Sequence, residues 1–297
     1  MTHLFALTGI VAISFSAIFF RLADVSPITG ALFRAAYAIP VLWVAARFGQ
    51  DRRTRRERLV SFGAGMLLAI DLVLWHSAIE YIGAGLATVL ANVQVVWVGL
   101  VAWAAYRERP TTTAIVVVPL VLFGITLIGG LGRDDAFGDR PLVGAFLGTA
   151  ASVCYSGFLL LFRASNRSRS STASPLLDAT AGAGLVLLLM TPFDDAFSFA
   201  IAWPAHGWLV ALALTAQVVG WLLIATALPR LPALETSIML LIQPALTIVW
   251  ARLIFTENLS AVQWTGVATV MAGVAIAGAR GSVRRQPAEP VPEPPAG

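Results

Sequence analysis

The chain has 297 residues, of which 58% are apolar and only 12% charged. A soluble domain carries about 25% charged residues, so polar residues are too few here to cover a water-facing surface, and the mean hydropathy of +0.81 agrees. A soluble enzyme, a nucleic-acid binder and a secreted disulfide scaffold are thereby excluded; the net charge of +4 comes from arginine without any lysine, and the single Cys154 allows no intrachain disulfide.

A membrane-crossing helix needs about 20 mostly apolar residues. Ten such runs occur, at about 3–22, 27–48, 59–79, 83–105, 111–130, 141–162, 174–193, 204–227, 232–254 and 259–279. The first is too long for a cleavable signal and lacks both a basic leader and a small-residue cleavage site. The segment Asp51 to Arg58 between the second and third runs is too charged for hydrocarbon. Pro27, Pro141, Pro175, Pro204 and Pro232 stand near the starts of spans, where a missing N–H costs little. The tail from Gln286 to Gly297 is rich in Pro and Glu and reads as disordered.

Arginine placement orients the chain. With a cytoplasmic N-terminus, 15 arginines fall in cytoplasmic segments and 4 outside, with Arg34 inside a span. Both termini are expected in the cytoplasm of a bacterial-type inner (plasma) membrane.

Shifting the chain by 149 residues pairs Gln94 with Gln243, Glu108 with Glu257, Val121 with Val270, Gly124 with Gly273 and Gly129 with Gly278. The unit that repeats is five helices. Five is odd, so the second copy enters the membrane from the opposite side, as in transporters whose halves rock about a midplane site. The expected fold is an all-α integral membrane protein of ten transmembrane helices in two inverted five-helix repeats. Residues 1–130 form the first, 131–140 an outer linker, 141–280 the second and 281–297 a cytoplasmic tail.

Several of these residues also carry a family likeness. The stretch Leu241-Ile242-Gln243-Pro244, then Glu257, Gln263-Trp264-Thr265-Gly266 and Gly273, resembles the end of EamA-type members of the drug/metabolite transporter superfamily. Glu108-Arg109-Pro110 and Gly124 echo it in the first half, and Arg34 resembles an arginine common in the second span of that family. Within the superfamily the chain is most similar to aromatic and neutral amino-acid exporters of the YddG kind. Efflux is what that resemblance implies. The first helix reads Ala12-Ile13-Ser14-Phe15-Ser16, a departure from the proton-binding glutamate of small multidrug-resistance relatives.

Gln94 and Gln243 each lie near the middle of a span, where an unpaired polar group is costly. Two readings follow: both line a central substrate cavity, or both serve as interhelical glue. His76 is read as a substrate-binding group or as an interfacial histidine. Tyr155 and Trp221 are expected to line the cavity, sharing helix faces with Ser152 and Gln217; Ser16 joins them. Arg34 and Asp71 lie at similar depth and are expected to form a structural ion pair, with recognition of a substrate carboxylate as the alternative for Arg34. Asp178 and Glu235 are expected to hydrate at span ends. Glu108 and Glu257 are expected to stabilise the helices that follow them.

Function follows by elimination. Neither an H-E-x-x-H zinc site, a G-x-S-x-G elbow nor a phosphate-binding G-x-x-x-x-G-K-[ST] loop is present, so an enzyme and an ATP-driven pump are disfavoured. The chain is expected to need no cofactor, metal or nucleic acid and to work as a monomer in the lipid bilayer. A secondary transporter exporting small metabolites, most simply amino acids, fits best. An exporter of another metabolite or drug, or a channel-like facilitator, is the alternative.

Overall fold

The computed structural model describes residues 2–94, 96–97, 100, 112–128, 137–165, 171–227 and 233–283. Among them every regular element is a helix. Helix α1 runs Thr2–Ser14, α2 Ser16–Ala23, α3 Pro27–Arg47 and α4 Arg55–Ala91. Helices α5 Thr112–Ile128, α6 Pro141–Ala164 and α7 Ala173–Met190 follow, then α8 Ala205–Leu212, a π-helical stretch Ala213–Gly220 and α9 Trp221–Ala227. The last are α10 Ala233–Phe255 and α11 Ala261–Val283. Among the described residues six segments are long and apolar enough to cross a membrane, including Thr2–Ala23, Arg55–Ala91 and Ala205–Ala227, with shorter apolar stretches at Val116–Ile128, Ile242–Phe255 and Ala261–Ile276. The expected tail from 284 onward and Glu108 lie outside the described residues, as do the side chain of Glu235 and most of the 131–140 linker.

Local chemistry explains several ends. Ser26 accepts a hydrogen bond from the Thr29 N–H at 3.3 Å and Pro27 opens α3, satisfying one orphan donor at a position that loses none. Thr54 and Glu57 form a reciprocal capping box that starts α4 just after the arginine-rich loop. The expected spans three and four meet at a kink within α4: the chain turns at Gly83, whose φ of 77° and ψ of 169° are not helical and suit only glycine.

That turn leaves the N–H groups of Ala84 and Gly85 at the start of a new helical arm. Glu257 takes both, at 2.9 and 3.2 Å, and pairs with Arg21, which also lies over the Phe255 ring at 4.3 Å. Glu257 therefore caps the second arm of α4, distant in sequence, rather than the helix that follows it. A helix N-terminus favours a carboxylate, and this one is 1% exposed. At the opposite end of α4, Arg53 donates to both oxygens of Asp51 and, at 2.7 Å, to Asp178 on α7. Asp178 is thus ion-paired instead of simply hydrated. This clamp ties the arginine-rich loop to α7, and Arg53 beside it holds the Asp51 carboxyl below the usual aspartate range.

Close backbone approach sets the packing of the interior. A Cβ at Gly65 would lie 2.0 Å from the Ala179 carbonyl oxygen, and one at Gly182 would lie 2.0 Å from that of Phe62, so α4 and α7 touch where both lack side chains. Helices α5 and α11 meet in the same way. A Cβ at Gly124 would meet Val270 Cγ2 at 2.8 Å, and one at Gly273 would meet Val121 Cγ2 at 2.4 Å.

Candidate functional site

The interior of the bundle holds a polar cluster built by four elements. Arg34 of α3 is 5% exposed. Its Nε donates to Gln217 Oε1 at 2.9 Å and its Nη1 to Ser16 Oγ at 3.1 Å. Gln217, in the π-helical stretch, donates in turn from Nε2 to Thr180 Oγ1 of α7 at 3.1 Å. A π-helical turn widens the spacing of side chains along a helix and recurs at functional sites; here it carries the one amide that bridges Arg34 to Thr180. Counted along their helices at about 1.5 Å per residue, Arg34, Ser16, Gln217 and Thr180 all lie roughly 10–18 Å from the end of the bundle that contains Gly83.

The expected Arg34–Asp71 ion pair is not formed: among the described residues no ion pair joins them, and the hydrogen bonds of Arg34 go to Gln217 and Ser16. The two charges nevertheless act on one another across the interior, and Tyr155 lies within electrostatic reach of both. Asp71 is 7% exposed and makes no hydrogen bond with a described residue. The reason for the correction is geometric. Equal depth places two residues in one layer, but the face each presents decides whether they touch.

An aromatic wall stands beside this cluster. Trp221 meets Tyr155, Phe158 and Phe162 edge to face, with centroids 6.2, 5.7 and 6.3 Å apart, a geometry that aromatic quadrupoles favour. Tyr155 and Trp221, both expected to line a cavity, adjoin one another. A second aromatic contact ties the break between α1 and α2 to α10, with Phe15 stacked on Trp250 at 4.9 Å. Trp250 donates to Ser14 at 3.1 Å, and Trp97 donates to Ser152 at 2.8 Å.

The other expected residues are placed differently. Gln94 leaves its buried Oε1 without a partner, and its backbone carbonyl accepts from Ser156 at 3.0 Å. The Gln243 carbonyl accepts from Thr247. No hydrogen bond joins Gln94 to Gln243 or either to Arg34 among the described residues. His76 is fully buried, stacked on Phe20 at 3.8 Å, with Nδ1 against the Pro27 carbonyl oxygen at 3.2 Å; it packs inside the bundle beside the first residue of α3. Its Nε2 has no partner.

Thr180 and the Tyr37–His206 hydrogen bond of 2.6 Å are additional polar features of the interior. The signal for Thr180 was a hydroxyl inside the 174–193 run, between Ser174 and Thr191 near its ends. Among the described residues no group of three or more His, Cys, Asp or Glu is placed to hold a metal ion.

Comparison with known proteins follows the same lines. The family model described as EamA-like transporter family matches twice, over residues 1–130 and 142–279. An uncharacterized transporter, sll1319, from Synechocystis sp. (strain ATCC 27184 / PCC 6803 / Kazusa) is 26% identical over 227 residues, covering 73% of this chain and 65% of the relative. The chain thus matches slightly less than two thirds of that relative's length. A probable 4-amino-4-deoxy-L-arabinose-phosphoundecaprenol flippase subunit, ArnE, from Klebsiella pneumoniae (strain 342) is 31% identical over 82 residues, 27% of this chain and 73% of the relative. A protein crystal structure shares the fold with a TM-score of 0.62 at 16% identity, over 93% of this chain and 97% of that one. With both halves of its length matched, the chain belongs to the EamA-like transporter family, the transporters of the drug/metabolite superfamily.

Proposed function

We propose that this transporter exports small neutral or zwitterionic metabolites, amino acids first among them, by alternating access about the interior polar cluster. The observation that carries the reading is Arg34 held by Ser16 and Gln217 beside the Tyr155–Trp221 wall. A fixed cation next to an apolar, aromatic surface suits a solute with a carboxylate and an apolar side chain. Two matches to one family model support two similar halves. The reciprocal contacts of Gly124 with Val270 and of Gly273 with Val121 support a pseudo-twofold axis between them, because only a twofold makes residue i meet j and j meet i. Ten spans in two inverted repeats, a monomer, cytoplasmic termini and an inner-membrane site complete the proposal.

In this reading Gln217 and Ser16 position Arg34, while Tyr155 and Trp221 contact the solute. Gln94 and Gln243 line the path at matched depth, and His76 stabilises the packing beneath Phe20. A second reading, movement of an amino-sugar lipid headgroup, is favoured by the 82-residue likeness to the flippase subunit.

Counterflow in proteoliposomes tests the two. Vesicles loaded with unlabelled L-phenylalanine or L-leucine are expected to accumulate the labelled amino acid only when they contain the protein. Absence of counterflow with every neutral amino acid, together with movement of an amino-sugar lipid between leaflets, would replace the first reading by the second.

A further inference from the structure

Arg34 and Asp71 form a pair of opposite charges that share the interior without touching. In a low-dielectric bundle the cheapest fate of two such groups is a direct, hydrogen-bonded ion pair. Arg34 is instead turned toward Gln217 and Ser16, contacts that fix its plane through two separate elements. Its Nη2 and the Asp71 carboxylate make no hydrogen bond with a described residue. Asp71 is more than nine-tenths buried all the same. Cys154 and Tyr155 of α6 lie within electrostatic reach of its carboxylate.

Resting on the amino-acid reading above, we infer that Arg34 and Asp71 are the two poles of a zwitterion site, the guanidinium taking the ligand's carboxylate and Asp71 its ammonium. The pair is neutral as a unit, and a zwitterion leaves it so. A ligand with only one charge would bring a net charge into the bundle and leave one pole desolvated without a partner, which selects against it. Tyr155, within electrostatic reach of both poles, stacks on Phe158 and meets Trp221 edge to face, so an apolar side chain attached to the zwitterion's α-carbon has an aromatic surface beside it. The geometry also explains why the charges stand apart: a direct ion pair would occupy the space the ligand's own dipole fills.

Binding to the purified full-length protein in detergent, followed by isothermal titration, tests the assignment with three ligands of one shape. L-Phenylalanine carries both charges, phenethylamine lacks the carboxylate and 3-phenylpropionate lacks the ammonium. The wild-type protein is expected to bind phenylalanine at least roughly tenfold more tightly than either analogue, the size of one lost charge-assisted hydrogen bond. Asp71→Asn is expected to abolish the preference over 3-phenylpropionate, and Arg34→Gln the preference over phenethylamine.

Equal binding of phenylalanine and either analogue by the wild type would overturn the two poles without touching the amino-acid reading, and needs no variant to fold. Asp71→Asn weakening all three ligands by the same factor would likewise overturn them. A wild-type protein that binds no neutral amino acid would overturn both.

Discussion

Replacing Glu257 by Gln keeps the side chain's shape and removes its charge. In the structure the carboxylate accepts from the Ala84 and Gly85 N–H groups at 2.9 and 3.2 Å and pairs with Arg21. A hydrogen bond to a charged group contributes about 1.5–3 kcal/mol, and a glutamine amide offers one oxygen, so one of the two caps is lost. The Arg21 side chain is 35% exposed, so water screens that ion pair to about 1 kcal/mol or less. The cap dominates. Glu257→Gln should therefore destabilise the turn at Gly83 by about 3 kcal/mol, roughly a hundredfold in its opening constant. Arg21→Gln should cost only about 1 kcal/mol, roughly fivefold. Hydrogen exchange by mass spectrometry on peptides covering Gly83 to Leu86 reads this opening directly. Unchanged exchange in Glu257→Gln, or a larger effect in Arg21→Gln, would refute the capping role.

Three further outcomes follow from the same structure. Gly182→Ala should lower the melting temperature by several degrees or prevent recovery of folded protein, because its Cβ would sit 2.0 Å from the Phe62 carbonyl oxygen, whereas Gly63→Ala, with open space around it, should be neutral or stabilising; thermal unfolding followed by size-exclusion chromatography compares them. The Asp51 carboxyl is held down by the Arg53 hydrogen bond, so its stabilisation is complete above the unfolded-state pKa of about 3.9 and is lost as pH falls through the lower folded-state value. A melting-temperature profile should drop in that acid range, and the drop should shrink in Asp51→Asn. Gln94→Leu removes a buried oxygen that has no partner, so the protein should melt at the same temperature or higher; counterflow should nonetheless fall roughly five- to thirtyfold if the amide meets solute, a loss of about 1–2 kcal/mol.

Much of the helical layout was legible in the sequence because lipid demands long apolar runs, and several of them open on a proline. Thus the expected 141–162 span became Pro141–Ala164, and 232–254 became Ala233–Phe255. Mid-span polar residues were legible as a set for the same reason: Arg34, Asp71, Ser16 and Gln217 stand out against hydrocarbon. Their pairing was not. Arg34 chose Gln217, 183 residues away, and that contact depends on the π-helical widening at Ala213–Gly220, which leaves no mark in an apolar period. The break at Phe15 has neither Pro nor Gly to announce it. Glu257 lies just after a helix in sequence, which suggests a role in the next one, yet the fold delivers it to α4. Depth along a helix can be counted from residues; the face presented and the partner across the bundle depend on how the helices pack.

Alternating access about Arg34 is tested most directly at Ser16, which is 3% exposed and hydrogen-bonded to that guanidinium. A Ser16→Cys variant in a Cys154→Ser background, reconstituted in proteoliposomes, carries one thiol at the centre of the proposed path. A membrane-impermeant thiol reagent should label it when supplied on either side of the membrane, and saturating L-phenylalanine should slow labelling from both. Labelling from neither side, from one side only, or at a rate that L-phenylalanine leaves unchanged would contradict alternating access at this site.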